Sequence, residues 1–124
     1  MNIQGMHLAW VVVKKLDDAI KFYTDVVGLQ LKKVSKENGW AELSGPTGAI
    51  LGITEQNNWD GKKPGANAVV TITVTNLQKA RDALMKKGAA LAGEIMEVPG
   101  HVKLQTFHDR DGNTLQLVQT LEKK

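Results

Sequence analysis

The chain has 124 residues, no cysteine, three histidines and a formal net charge of +3. That length suits one ordinary domain able to bury about two thirds of its unfolded surface. The lack of cysteine excludes disulfides, thiolate metal sites and a cysteine nucleophile. The positive charge marks no nucleic-acid partner. Lys86 and Lys87 sit where a helix C-terminus favours cations, Lys123 and Lys124 lie in the tail, and no basic stripe is interleaved with aromatic residues.

In chain order, the first apolar run is His7–Val13. Its longest uninterrupted part, Leu8–Val13, is far too short to cross a bilayer. No basic, apolar leader precedes it, so the expectation is a cytoplasmic protein with no membrane partner. Both alternating sets of this strand are apolar: Ala9, Val11 and Val13 suit a face under a helix, and Leu8, Trp10 and Val12 form the other. An amphipathic helix follows, with Leu16, Ala19, Ile20, Tyr23, Val26 and Val27 on one side. Asp17 and Asp18 lie in its first turn and Gly28 is its stop. Strands are expected over Leu29–Ser35, Gly39–Leu43 and Ala49–Thr54, the last two joined by the Ser44-Gly-Pro-Thr-Gly turn. Residues 55–66 are polar and rich in turn formers, and read as a linker.

The same order then recurs. Val69–Thr75 reads as a strand, Asn76 as an N-cap, and Leu77–Lys87 as a helix with Leu77, Ala80, Ala83 and Leu84 inward. A short strand over Ala89–Glu94, a loop beginning at Glu97, and strands Val102–His108 and Thr114–Gln119 complete it. The copies share a register: Val13, Leu16 and Ala19 match Val74, Leu77 and Ala80 at an offset of 61, and Gly48–Ile53 matches Gly112–Leu117 at an offset of 64. The chain therefore reads as one domain over residues 1–124, duplicated as module 1 (about 6–54) and module 2 (about 67–120), with function expected between the copies.

Strand, helix and three strands, written twice, with the segment LDDAIKFYTDVVGL (Leu16–Leu29) and a closing DRDGN turn (Asp109–Asn113), resembles the vicinal oxygen chelate superfamily of glyoxalases, bleomycin-resistance proteins and extradiol dioxygenases. The resemblance covers nearly the whole chain and implies an α+β fold: two tandem βαβββ modules forming a cupped mixed sheet with helices on the convex face. The chain departs from the family pattern at Arg110, where proline is common, and at Lys15, where an aspartate usually caps the first helix.

The family's metal enzymes draw ligands from the first and fourth strand of each module. Carried over, those positions fall on Leu8, Gly52, Val69 and Gln116. Leucine, glycine and valine offer no donor atom, and an amide is a poor ligand alone. No metal and no other cofactor is expected. His7 is one residue out of register with a ligand position, and its counterpart is Ala68. His101 and His108 read as surface or hydrogen-bonded histidines, with His101, beside Pro99-Gly100, the better ligand contact or general base. Asp109 and Asp111 flank a Gly-Asn turn and read as structural. Gly45–Gly48 has no helix after it and is no phosphate loop.

Strand alternation assigns a cleft face to Leu8, Trp10, Val12, Val69, Thr71, Thr73, Ile50, Gly52, Thr54, Thr114, Gln116 and Val118. Val70, Ile72, Val74, Leu51, Ile53, Leu115 and Leu117 go to the helix-packed core. An apolar surface with a few polar groups suits a small organic ligand. The expected ligand-binding residues are Trp10, Gly52, Thr71, Thr73, His101 and Gln116, with no catalytic residue assigned. The net charge gives no long-range pull on a cation, so a neutral or anionic ligand is expected. The alternative is a metal-dependent lyase, isomerase or dioxygenase of the same superfamily with an unusual metal site. The resemblance also implies a homodimer.

Overall fold

A computed structural model describes residues 4, 8–56, 63–65 and 69–121. The expectations that concern His7, Ala68 and most of the 55–66 linker lie outside the described residues. The chain divides into two compact units, Met1–Pro64 and Gly65–Lys124.

The first unit runs β1 (Leu8–Val13), α1 (Leu16–Lys21) continuing into a π-helical turn (Phe22–Val27), β2 (Gln30–Ser35), a 3₁₀ turn (Lys36–Asn38), β3 (Trp40–Ser44) and β4 (Ile50–Glu55). Its sheet has the order β1-β4-β3-β2. The β1–β4 pair is parallel and the other two pairs are antiparallel. The second unit repeats this with β5 (Val70–Thr73), α2 (Leu77–Lys86), β6 (Ala90–Val98), β7 (Val102–His108) and β8 (Thr114–Thr120) in the order β5-β8-β7-β6. Its β5–β8 pair is again parallel. The fold is α+β, built from two tandem βαβββ modules, as the sequence led one to expect.

Each unit buries one face of its sheet. In the first, Ala41, Leu43, Leu51 and Ile53 are buried with Val11, Val13, Leu16 and Ala19; in the second, Phe107, Leu115 and Leu117 are buried with Leu77 and Leu84. Val70, Ile72 and Val74 are only half-buried, and Ala9, near the start of β1, is exposed. Both β1 and β5 pair with a single strand among the described residues, which leaves part of their surface uncovered. The inward stripe of α2 is narrower than its periodicity suggested: Ala80 is half-buried and Ala83 is exposed.

The first helix departs from its expected regular form. Thr24 Oγ1 donates to the Ile20 carbonyl at 2.9 Å, the acceptor that its own amide would take in an α-helix. The backbone is wider from Phe22 onward. Phe22 and Tyr23, neighbours in sequence, are both buried and meet edge to face, with centroids 5.3 Å apart. A 3.6-residue stripe does not include Phe22.

In the second unit β6 runs past its expected end to Val98. A bulge between Ala92 and Met96, with Gly93 at φ +75°, lets the strand resume pairing with β7. Gln105, fully buried, satisfies that bulge. Its Nε2 donates to the Gly93 carbonyl at 3.1 Å, and its Oε1 accepts from Arg81 Nε at 2.8 Å.

The duplication extends to the caps. Leu16 N–H, at the start of α1, donates to Glu55 Oε2 at 2.9 Å, and Leu77 N–H, at the start of α2, donates to Gln119 Oε1 at 2.7 Å. Glu55 and Gln119 stand at the ends of β4 and β8, so the closing strand of each unit caps that unit's helix. This answers the poor N-cap at Lys15, whose side chain makes no cap bond, whereas Asn76 also accepts from Lys79 N–H at 3.0 Å. The Asp109–Asn113 turn is a closed network. Asp109 Oδ1 accepts from the amides of Asp111 and Asn113, both at 2.9 Å, and Asn113 Nδ2 donates to Asp109 Oδ2 at 2.8 Å. Asn113 Oδ1 also accepts from Gly65 N–H at 3.1 Å.

Two substitutions probe these devices. Glu55→Ala should cost about 1 kcal/mol in urea unfolding, as loss of a helix cap typically does, while Glu55→Gln, which copies Gln119, should retain most of it. Asn113→Ala removes its hydrogen bonds to Asp109 Oδ2 and from Gly65 N–H in a buried turn, and should cost about 2–3 kcal/mol. Equal unfolding midpoints for Glu55→Ala and wild type would remove the cap from this picture.

Candidate functional site

The candidate surface in each unit is the sheet face turned away from the helix, and the strand registers set out its rows. In the first unit, Trp10, Gly52 and Glu42 are paired across β1, β4 and β3. Val12, Thr54 and Trp40 form the next row. Alternation puts all six on the face opposite Leu43, Leu51 and Ile53. Val12 and Thr54 are buried, whereas Trp10, Trp40 and Glu42 are half-buried.

Gly52 carries the geometry here. A Cβ at this position would lie 2.4 Å from Cη2 and 2.7 Å from Cζ2 of Trp40, and 3.0 Å from Cβ of Trp10. The Trp40 indole therefore leans into the space a side chain at residue 52 would need. Its Nε1–H donates to Glu42 Oε2 at 2.9 Å, which fixes the ring. Trp40 and Glu42 are candidate residues of this face beyond those the sequence pattern singled out. The signal was present: in Trp40-Ala-Glu-Leu-Ser44, Ala41 and Leu43 supply the core, so Trp40 and Glu42 must share the opposite face.

In the second unit, Thr71, Gln116, Thr106 and Ala92 form one row across β5, β8, β7 and β6. Thr114, His108 and Ala90 form the row on one side of it. Thr73, Val118, Leu104 and Met96 form the row on the other. Gln116 Nε2 donates to Thr106 Oγ1 at 3.3 Å, and Thr114 Oγ1 lies 3.5 Å from His108 Nδ1. One end of this face is polar; the other is apolar, with Met96 60% exposed. Lys103 and Glu97 alternate to the opposite face, where they approach to 3.9 Å.

Of the residues expected to bind ligand, Trp10 and Gly52 are neighbours in the first unit, and Thr71, Gln116 and Thr73 are neighbours in the second. His101 stands apart from the latter group. It is exposed in the turn between β6 and β7, five residues before Thr106 and so roughly 17 Å away along the strand. His108, by contrast, lies on the same face as Gln116.

The metal positions that the family resemblance implies can be tested against this chemistry. Leu8, Gly52 and Val69 carry no donor, Gln116 is engaged with Thr106, and the Trp40 ring fills the place of a ligand side chain at residue 52. Among the described residues no group of three His, Asp or Glu side chains is placed to hold a metal ion. The residues present do not fit the family's metal centre. A shallow depression elsewhere in the first unit, lined by Lys15, Asp17, Asp18, Lys36 and Glu55, surrounds the start of α1, where Glu55 already serves as a cap. None of the helices among the described residues is long and apolar enough to cross a membrane.

Comparison with known proteins agrees with this architecture. A member of the glyoxalase/bleomycin resistance protein/dioxygenase superfamily from Sphaerobacter thermophilus DSM 20745 is similar with a TM-score of 0.82 at 20% identity, over 96% of this chain and 99% of that one. TnmS3, an antibiotic binding protein from Streptomyces sp. CB03234, gives 0.81 at 22% identity over 97% and 98%. TioX from Micromonospora sp. ML1 gives 0.74 at 15% identity over 93% and 98%. At these identities the likeness is one of fold. No curated protein matches the sequence significantly. A family model for the Glyoxalase/Bleomycin resistance protein/Dioxygenase superfamily matches residues 5–117, and the chain belongs to that superfamily.

Proposed function

We propose that this protein binds a small neutral or anionic organic molecule without a metal. The observation that carries this reading is the donor set. Three of the four positions from which the family's enzymes draw ligands hold Leu8, Gly52 and Val69, and Trp40 packs over Gly52. Function follows from site chemistry, and a surface of indoles, threonines and an amide suits recognition of an organic ligand better than activation of an oxygen on a metal. Trp10, Gly52, Thr71, Thr73, Gln116 and His101 are the proposed contacts. That TnmS3 is an antibiotic binding protein supports a binding role. The net charge of +3 favours a ligand without positive charge.

The same reading includes a cytoplasmic homodimer. Its support is the apolar surface left on strands at the sheet edges: Leu31 and Val34 on β2, and Met96 and Val98 on β6, are each more than 40% exposed. Exposed apolar surface at a strand edge favours a partner.

Three measurements check these statements. Protein purified without added metal should hold less than one Mn, Fe, Ni or Zn per chain by elemental analysis, and EDTA should leave its melting temperature unchanged. One tightly held metal per chain, with stability lost on chelation, would establish the metal-dependent lyase, isomerase or dioxygenase instead. Sedimentation should give a dimer mass, and a monomer mass at all concentrations would refute the pairing. A thermal-shift screen of metabolites should find a stabilising ligand whose affinity weakens in Trp10→Phe. Unchanged affinity and fluorescence response in that variant would make Trp10 a packing residue.

A further inference from the structure

Trp40 is held in an unusual way for a residue that only fills space. Its ring edge rests where Gly52 lacks a side chain, and its Nε1–H is tied to Glu42, yet the residue stays half-buried on the face away from the helix. An indole buried for packing covers its surface; this one is backed on one side, pinned at its nitrogen and left partly exposed. Such a ring loses little freedom when something stacks on it, because its orientation is already set. Glu42 brings a second feature. Oε2 accepts from Trp40, and no partner for Oε1 exists among the described residues. A half-buried carboxylate with one oxygen unoccupied, beside a pinned indole, is an acceptor awaiting a donor.

We infer that Trp40 and Glu42 form a recognition pair for a planar, uncharged heteroaromatic group carrying an N–H or O–H donor. The ring stacks on Trp40 and the donor bonds Glu42. The pair rests on the binding reading given above and narrows it to a ligand class. A neutral heteroaromatic lactam or a hydroxyl-bearing heteroarene meets both features; a carboxylate ligand would face repulsion from Glu42, so the neutral class is selected within the wider one. Gly52 belongs to the device as the residue whose missing Cβ lets Trp40 lie where it does.

The test uses the intact protein and three probes: quinolin-2(1H)-one, which is planar and carries a lactam N–H; its N-methyl derivative, which lacks the donor; and piperidin-2-one, which keeps the lactam without the aromatic surface. The three tryptophans supply three indole N–H resonances, assigned by Trp→Phe substitution. Quinolin-2(1H)-one should move the Trp40 resonance, the N-methyl derivative should bind about tenfold more weakly, and piperidin-2-one should leave the resonance in place. Glu42→Gln should narrow the tenfold gap to about threefold, since a neutral acceptor makes roughly half the bond. Gly52→Ala, which pushes the ring aside, should weaken quinolin-2(1H)-one binding while Lys86→Ala, at the exposed end of α2, should not. Equal binding of the methylated and unmethylated probes, or a Trp40 resonance unmoved by millimolar probe, overturns the assignment. The wild-type comparison needs no variant to fold. Elemental analysis is independent of all three probes, so failure here is distinct from failure of the wider reading.

Discussion

Parallel pairing of β1 with β4, and of β5 with β8, cannot be closed by a tight turn. The chain must leave the first strand, cross over, and return beside it. In both units the crossover begins with a helix and then lays down the two antiparallel strands that complete the sheet. The pairing brings the end of the closing strand beside the start of the helix. There Glu55 and Gln119 meet the amides of Leu16 and Leu77, donors with no partner inside the helix. One geometric constraint thus explains the strand order, the position of the helix and the identity of its cap.

That register also decides what faces away from the helix. Placing β4 beside β1 sets Gly52 next to Trp10, and placing β3 beside β4 sets Glu42 next to Gly52. With no side chain at residue 52, the row has a gap, and Trp40 fills it from the adjoining row. In the second unit the equivalent surface keeps side chains throughout, with Gln116 bonded to Thr106 and threonines at Thr71 and Thr114 on either side. The duplicated modules have diverged in surface chemistry, one aromatic and acidic, the other hydroxyl- and amide-bearing, while their cores and caps stayed alike.

The absence of donor side chains at Leu8, Gly52 and Val69 separates fold from chemistry in this superfamily member. A sheet face serves a metal only if several donor atoms converge; replace them with leucine, glycine and valine, and the same face offers contact area and a few hydrogen bonds. The polar groups that remain are threonines, an amide and His108 in the second unit; in the first, Glu42 lies near the tryptophans with Lys33 in register beside it.

Much of this was legible in the sequence, because the decisive patterns are local or periodic. The 61-residue echo of Val13, Leu16 and Ala19 in Val74, Leu77 and Ala80 gave the duplication, and alternation gave the cores of β4 and β8. The DRDGN motif named its own turn, since Asp and Asn bond to nearby backbone. Other features depended on groups far apart in the chain. The π-helical turn that buries Phe22 beside Tyr23 has no 3.6-residue signature, and the run of β6 to Val98 required a bulge satisfied by Gln105 from the neighbouring strand. Glu55 read as linker because its role as a cap exists only once β4 lies beside β1. Trp40 escaped notice for the same reason: its alternation was visible, but the gap it occupies is defined by Gly52, a residue on another strand. Sequence by itself determined periodicity and turn chemistry, which are set by neighbours along the chain. Tertiary structure decided the caps, the bulge and the pinned indole, because hydrogen bonds and steric gaps between strands arise only when the register brings distant residues together.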